Sequence, residues 1–326
     1  MKTRFSRVSS IYSDKEYRMR KAFEITVLGT SSATPTKYRH PSAQYVRLEG
    51  SYLLLDCGEG AQRQLSRYGL RVLKISHVFI THLHGDHYFG LPGLITSMAL
   101  YGRTEPLVIV GPPALESIMQ VLITESDSVL PYELQYIQTR TDSLETVVET
   151  EQFKVVSLPL KHRVPCTGFL VQEKGPELKL NVDACVKYKV PVEQYETIKL
   201  GADYHSHSQG VIANSLLTSP GYKNRTYAYI TDTIYDPEYL VPIITDADLL
   251  YHEATFLHER ADRASETFHS TSHQAAQIAQ AANVKRLMIG HFSARYNDAQ
   301  PLLDEAQSVF VNTVEAVEGQ TYAVGE

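Results

Sequence analysis

Residues 79–90 read FITHLHGDHYFG, with His82, His84, Asp86 and His87 packed into six positions. They follow an apolar run that reads as a strand, HVFITH (77–82). Zinc binds neutral imidazole nitrogen and carboxylate oxygen, and a catalytic zinc keeps one position open for water. Residues two apart in an extended segment point to one side, so His82 and His84 face one ion together. Gly85, without a Cβ, permits the turn that aims Asp86 and His87 at a neighbouring ion. Four ligands cannot complete two tetrahedral sites. The further donors expected are His162, after FKVVSLPL (153–160), Asp232 in TYAYITDT (226–233), and His291 at the end of RLMIGH. Asp232 can give one carboxylate oxygen to each ion. All three stand where a strand gives way to a loop, the edge at which open α/β sheets bind ligands.

The rest of the chain alternates in the same way. FEITVLGT (23–30), SYLLLDCG (51–58), LVIVGP (107–112) and DLLYHEATF (248–256) read as strands from their β-branched content and their Gly or Pro stops. EGAQRQLSRYG (59–69), LPGLITSMALYG (91–102), PALESIMQVLITES (113–126) and TSHQAAQIAQAANV (271–284) read as helices, the last with Ser270 or Thr271 as N-cap. Strands then helices, twice over, predict two sheets inside helical layers. Residues 171–225 break the rhythm with mixed charge and little strand patterning, and read as an inserted arm. Residues 1–21 are basic and polar without an apolar centre. They read as a disordered leader rather than an export signal, with Met19 as a candidate start.

The 326 residues, 43% hydrophobic and 21% charged, support a large buried core. No apolar run is long enough to span a membrane. The three cysteines, Cys57, Cys166 and Cys185, form neither a disulfide framework nor a metal spacing, which fits a reducing cytoplasm. A net charge of -6 argues against a wholly basic nucleic-acid-binding surface, but not against a local basic groove or a site whose positive charge is metal. His205 and His207 repeat the H-x-H pattern inside the arm and read as solvated loop. His77, His258 and His273 read as ordinary surface or partly buried residues, and His252 as structural.

The string THLHGDH, with distant His162, Asp232 and His291, resembles the metallo-β-lactamase superfamily. LDCGEGAQRQL (55–65), HEATF (252–256), HST (269–271) and GHFSARY (290–296) resemble its short-form tRNase Z branch, over residues 22–315. The resemblance implies a four-layer αβ/βα sandwich across 22–326, with two zinc ions (manganese as the alternative). It implies hydrolysis of precursor tRNA after the discriminator nucleotide, leaving a tRNA 3′-hydroxyl and a trailer 5′-phosphate. Carried over, His82, His84 and His162 hold one zinc and Asp86, His87 and His291 the other. Asp232 bridges, and Asp56 orients a ligand histidine. The family's P-x-K-x-R-N loop appears as PTKYRH (35–40), with His40 in place of Asn. The resemblance also implies a homodimer in which one subunit's arm serves the other's active site. Here the arm lacks the Gly-Pro-rich tip of some relatives, and residues 171–203 carry five Lys against six Asp or Glu.

The expected chemistry follows from these residues. Asp86 takes the proton of the attacking water, as the family assigns. His269, oriented by Glu253, gives one to the leaving oxygen. Lys37, Arg39, Ser293 and Arg295 contact phosphates. The rival readings are a small-molecule hydrolase on the same fold (a phosphodiesterase or lactonase) and a non-catalytic RNA-binding scaffold.

Overall fold

The computed structural model describes residues 22–175, 178–221 and 223–325. The leader and the candidate start at Met19 lie outside the described residues. By their contacts the described residues divide into two compact units, one of residues 22–173 with 225–325 and one of residues 174–224.

The larger unit holds two seven-stranded sheets. The first runs, edge to edge, Thr321–Ala323, Phe23–Gly29, Ala43–Leu48, Ser51–Cys57, Ile75–Phe79, Leu107–Gly111 and Leu134–Gln138. The second runs Thr313–Glu315, Leu287–Gly290, Leu249–Glu253, Thr226–Ile230, Cys166–Glu173, Phe153–Leu160 and Glu145–Glu149. Strand alternation builds the layers. Leu53 and Leu55 face Tyr227, Tyr229 and Tyr251 in a core between the sheets. Leu54 and Cys57 turn outward onto a core shared with the helices Ala61–Arg67, Leu91–Leu100 and Ala114–Glu125. On the other side Ala228, Ile230 and Leu250 pack under Pro237–Ile244, Ser272–Ala281 and Gln300–Val309. The result is helix, sheet, sheet, helix, the metallo-β-lactamase arrangement.

Several strands stop earlier than the apolar runs suggest. HVFITH is strand only to Phe79, TYAYITDT only to Ile230, and RLMIGHFS only over Leu287–Gly290. The residues beyond, His82, Asp232 and His291, are therefore in loops. Thr271 caps the helix Ser272–Ala281 with a full capping box, in which its side chain accepts from Gln274 N–H and the Gln274 side chain accepts in return.

Residues 174–224 form small elements of their own. Leu178–Leu180 pairs with Thr218–Pro220, Tyr204–Ser206 pairs with Gly210–Ile212, and three short helices cover Val182–Lys187, Tyr195–Lys199 and Asn214–Leu217. Leu180, Cys185, Val190, Ile198, Ile212 and Leu217 make a private core. Three-residue strands are too short to show alternation, which is why the segment looks irregular in sequence. In the larger unit its two ends meet. Glu173 N–H donates to the Arg225 carbonyl at 2.9 Å, and the buried Arg225 guanidinium forks onto the Glu173 carboxylate at 2.5 and 2.8 Å.

Candidate metal centre

The site is made by loops leaving the carboxyl ends of strands in both sheets. Gly58, just past Ser51–Cys57, is required there. A Cβ on it would lie 2.3 Å from the Asp86 carbonyl oxygen, so only glycine lets the short ligand-bearing helix Gly85–Tyr88 come this close. Asp56 and His291 both hold left-handed backbone, with φ of 56° and 61°, and Phe268, ahead of His269, has φ 60°. Such conformations in non-glycine residues cost free energy and persist where surrounding contacts enforce them.

The seven expected ligands converge in two sets. His82 Nε2 and His162 Nε2 lie 3.0 and 3.1 Å from His84 Nδ1, and each is 3.7 Å from Asp232 Oδ2. The other Asp232 oxygen, Oδ1, is 3.5 Å from His87 Nε2 and 3.2 Å from His291 Nε2. Those nitrogens in turn sit 3.4 and 3.5 Å from Asp86 Oδ2. One aspartate thus presents one oxygen to each set. A tetrahedral ion with ligands at about 2.0–2.1 Å has edges of about 3.3–3.4 Å, within the spread of these separations. The Nε2 atoms of His87 and His291 are buried without a hydrogen-bond partner, a condition that a cation between them would relieve.

The electrostatics point the same way. Burial disfavours charge on Asp86 and Asp232, but the surrounding imidazoles outweigh it and hold both carboxyls well below their ordinary range. His82 and His162 are pushed below the usual imidazole value, chiefly by burial. Burial also works against charge on His87, yet Asp86, Asp56 and Asp232 raise it well above normal. Buried anions among imidazoles need compensating positive charge, from protons or from metal.

Four of the five expected ligand histidines, His82, His87, His162 and His291, are steered through their other nitrogen. His87 Nδ1 donates to Asp56 Oδ2 at 2.8 Å, and Asp56 is itself held by Thr81 N–H (2.8 Å) and the Tyr229 hydroxyl (2.9 Å). His162 Nδ1 donates to the Phe268 carbonyl at 3.0 Å, which gives the left-handed Phe268 a purpose. Two threonines absent from the sequence expectations act as hubs. Thr81 Oγ1 lies 3.0 Å from both His82 Nδ1 and Asp56 Oδ1. Thr255 Oγ1 lies 3.0 Å from His291 Nδ1 and donates to Glu253 Oε2 at 2.7 Å. Their positions, before His82 and at the end of the HEAT string, were the available signal.

His269 sits between the two sets, with its ring centroid 5.3 Å from that of His162 and 5.5 Å from that of His291. Its Nδ1 donates to Glu253 Oε1 at 2.9 Å. Glu253 is fully buried and also accepts from the Thr233, Thr255 and Ser270 N–H groups. Burial alone would strip the proton from His269, but the Glu253 carboxylate holds its pKa up at about 9. His269 together with Asp232 and His291 also presents atoms close enough to ligate, so its chemistry is open to two roles.

The four expected phosphate contacts lie at the rim. Lys37 is exposed, its ammonium 5.0 Å from the Tyr38 ring. Arg39 is already engaged, stacked 5.1 Å over Phe292 and donating to the Tyr296 carbonyl at 2.7 Å. Arg295 donates to Ser293 Oγ at 3.0 Å and lies over Phe256. His40 does not face the ligands, because its Nδ1 is tied to Glu318 at 2.8 Å. His205 and His207 are exposed in the smaller unit, while His252 is fully buried in the strand Leu249–Glu253.

A family model described as Anti-Pycsar protein Apyc1 matches residues 23–316. A ribonuclease Z of Porphyromonas gingivalis is 45% identical over 297 residues, covering 91% of this chain and 97% of that protein. A ribonuclease Z of Parabacteroides distasonis is likewise 45% identical, over 304 residues, 93% of this chain and 99% of that one. Among solved structures, human tRNase Z, short form, superposes with a TM-score of 0.68 and 28% identity across 92% of this chain and 99% of its own. Full-length likeness to these proteins, in the fold as in the sequence, means that this chain belongs to the ribonuclease Z family and to the group of sequences that the Apyc1 model describes.

Proposed function

We propose that the chain is a metal-dependent endoribonuclease that removes the 3′ trailer from precursor tRNA, cutting after the discriminator nucleotide. The products are a tRNA 3′-hydroxyl and a trailer 5′-phosphate. The observation that carries the reading is the split of Asp232, one oxygen toward His82 and His162 and the other toward His87 and His291, beside the His269–Glu253 pair. In this reading His82, His84 and His162 would hold one zinc ion and Asp86, His87 and His291 the second, with Asp232 offering one oxygen to each set. Manganese is the alternative ion. When bound, such a pair would acidify a water molecule and neutralise charge on the phosphate.

The protein groups do the rest. Asp86, an anion kept in place by the Ala33 N–H at 2.7 Å, accepts the proton of the attacking water. His269, held protonated and aimed by Glu253, donates to the departing 3′-oxygen. Asp56 keeps the His87 ring oriented throughout. Lys37, Arg39, Ser293 and Arg295 meet phosphates at the rim; for Arg39 this means exchanging the Tyr296 carbonyl for substrate. The unit 174–224 grips the tRNA body, and in a homodimer it serves the partner's site. Cys57, Cys166 and Cys185 are buried, and no disulfide joins them among the described residues, in keeping with a reducing cytoplasm. No helix among the described residues is long and apolar enough to cross a membrane.

The test is end-mapping of products from the purified zinc-loaded protein given a precursor tRNA with a trailer. A cut directly after the discriminator base is expected. If precursor RNA stays intact while bis(p-nitrophenyl) phosphate is hydrolysed, the small-molecule hydrolase reading replaces this one. Asp232→Ala should lose metal from both sets at once, read as zinc content per chain.

A further inference from the structure

We infer that a groove along the helix Ala61–Arg67 binds single-stranded RNA on the 3′ side of the cleaved bond, with Tyr101 and Phe89 as stacking surfaces and Arg63 and Arg67 as phosphate contacts. The inference deepens the reading above and rests on it.

Two hollows of about 420 and 550 Å³ share His40, Gln62 and Arg63 in their walls, and so form one continuous groove. The inner hollow is lined by Pro35, Thr36, Phe89 and Gly90. Phe89 caps the helix that carries Asp86 and His87, and Ala33, two residues before Pro35, bonds the Asp86 carboxylate. The groove therefore starts at the edge of the metal centre. Its outer end is lined by Ser66, Arg67 and Tyr101.

The charge of the groove runs against that of the chain. Overall the protein carries -6, yet the groove walls hold two arginines, four residues apart and both exposed, against the single carboxylate of Glu59. His40, the residue that departs from the family loop, is occupied by Glu318 and serves as wall rather than as charge. Beside the arginines, Phe89 is 61% exposed and Tyr101 59% exposed. Arginines interleaved with exposed aromatic rings suit unpaired nucleotides, whose phosphates and base faces are both available. A duplex hides its base faces in the stack and would leave both rings unused. An acceptor stem therefore fits the groove less well than a trailer does.

The experiment compares wild type, Tyr101→Ala and the double variant Arg63→Ala/Arg67→Ala on two precursors, one with a single-nucleotide trailer and one with eight. All three positions are exposed and outside the metal centre, so thermal melting should match wild type. On the long trailer Tyr101→Ala should lose on the order of tenfold in kcat/KM, the scale of one lost stacking contact. The double variant should flatten the salt dependence by about 1.4 in log–log slope, roughly 0.7 per lost single-strand phosphate contact. On the one-nucleotide trailer both should stay within about twofold of wild type. Equal losses on the two precursors, or none on either, overturn the groove. Binding of a fluorescent eight-nucleotide RNA is measured alongside. If wild type cuts neither precursor, the endonuclease reading has failed. The groove is then judged on the oligonucleotide alone, sustained if the variants bind it more weakly and rejected if they bind it equally.

Discussion

His269 is the residue on which chemistry and coordination compete. Its Nδ1 is bonded to Glu253, which leaves the opposite ring nitrogen for either a leaving oxygen or an ion. As the proton donor, His269→Ala should retain full zinc while single-turnover cleavage drops about 10²–10⁴-fold, the usual contribution of general acid catalysis. Zinc falling together with rate would make His269 a ligand instead. Glu253→Gln should be worse for the fold. Gln would set an amide NH₂ among the N–H groups of Thr233, Thr255 and Ser270, where only an acceptor is tolerated. A lower melting temperature than His269→Ala is the expected readout. The sequence named both residues from the HEAT and HST strings, but their bond spans 16 positions and is closed only by the fold. The threonine hubs, Thr81 and Thr255, could not be ranked above other threonines, since a hydroxyl shows its role only through its partners.

At the scale of elements, the decisive feature is a close approach between the end of one strand and a short helix. Gly58 touches the backbone of Asp86, and a Cβ on Gly90 would fall 2.2 Å from the Gly58 carbonyl oxygen. The glycines of LDCGEG and HYFGLPG thus meet face to face. Gly58→Ala should push the ligand helix away from Asp56, costing about 1–3 kcal/mol as overpacking of a tight contact. It should also lower zinc retention during dialysis against a weak chelator. Wild-type stability and zinc retention together would refute this. Strand identities were readable from β-branched runs, but strand ends were not. HVFITH stays apolar past Phe79 because Ile80 is still buried, although it has left the strand. Ala43–Leu48 and Cys166–Glu173 escaped notice altogether, because AQYVRL and CTGFLVQE are buried on both faces and show little alternation.

For the whole molecule, the placement of the arm allows a clean excision. It leaves between two antiparallel strands whose last rungs, Gln172 against Thr226 and Glu173 N–H to Arg225 carbonyl, already close the gap. Replacing residues 174–224 by Asn-Gly, which suits a two-residue hairpin turn, should leave a folded protein. That protein should bind zinc and hydrolyse bis(p-nitrophenyl) phosphate at the wild-type rate. Its precursor-tRNA affinity should fall at least about tenfold, equivalent to about 1.4 kcal/mol. Undiminished affinity would remove the arm from substrate binding. The private core of residues 174–224 explains why the segment is compact despite its irregular sequence.

What the sequence determined by itself was the layered class and which residues to expect as donors, residues that the fold brings into one cluster. A dense run such as THLHGDH has few purposes other than metal, and alternating apolar strands must bury both faces. The tertiary structure alone decided which oxygen of Asp232 serves which histidines, that Asp56 and His291 hold left-handed backbone, and that a basic, aromatic groove opens beside the ligand helix in an acidic protein. The division has a physical cause. A residue's chemistry is local and written in its type, whereas coordination, strain and surface charge depend on distances between residues far apart in the chain, set only when the sheets pack.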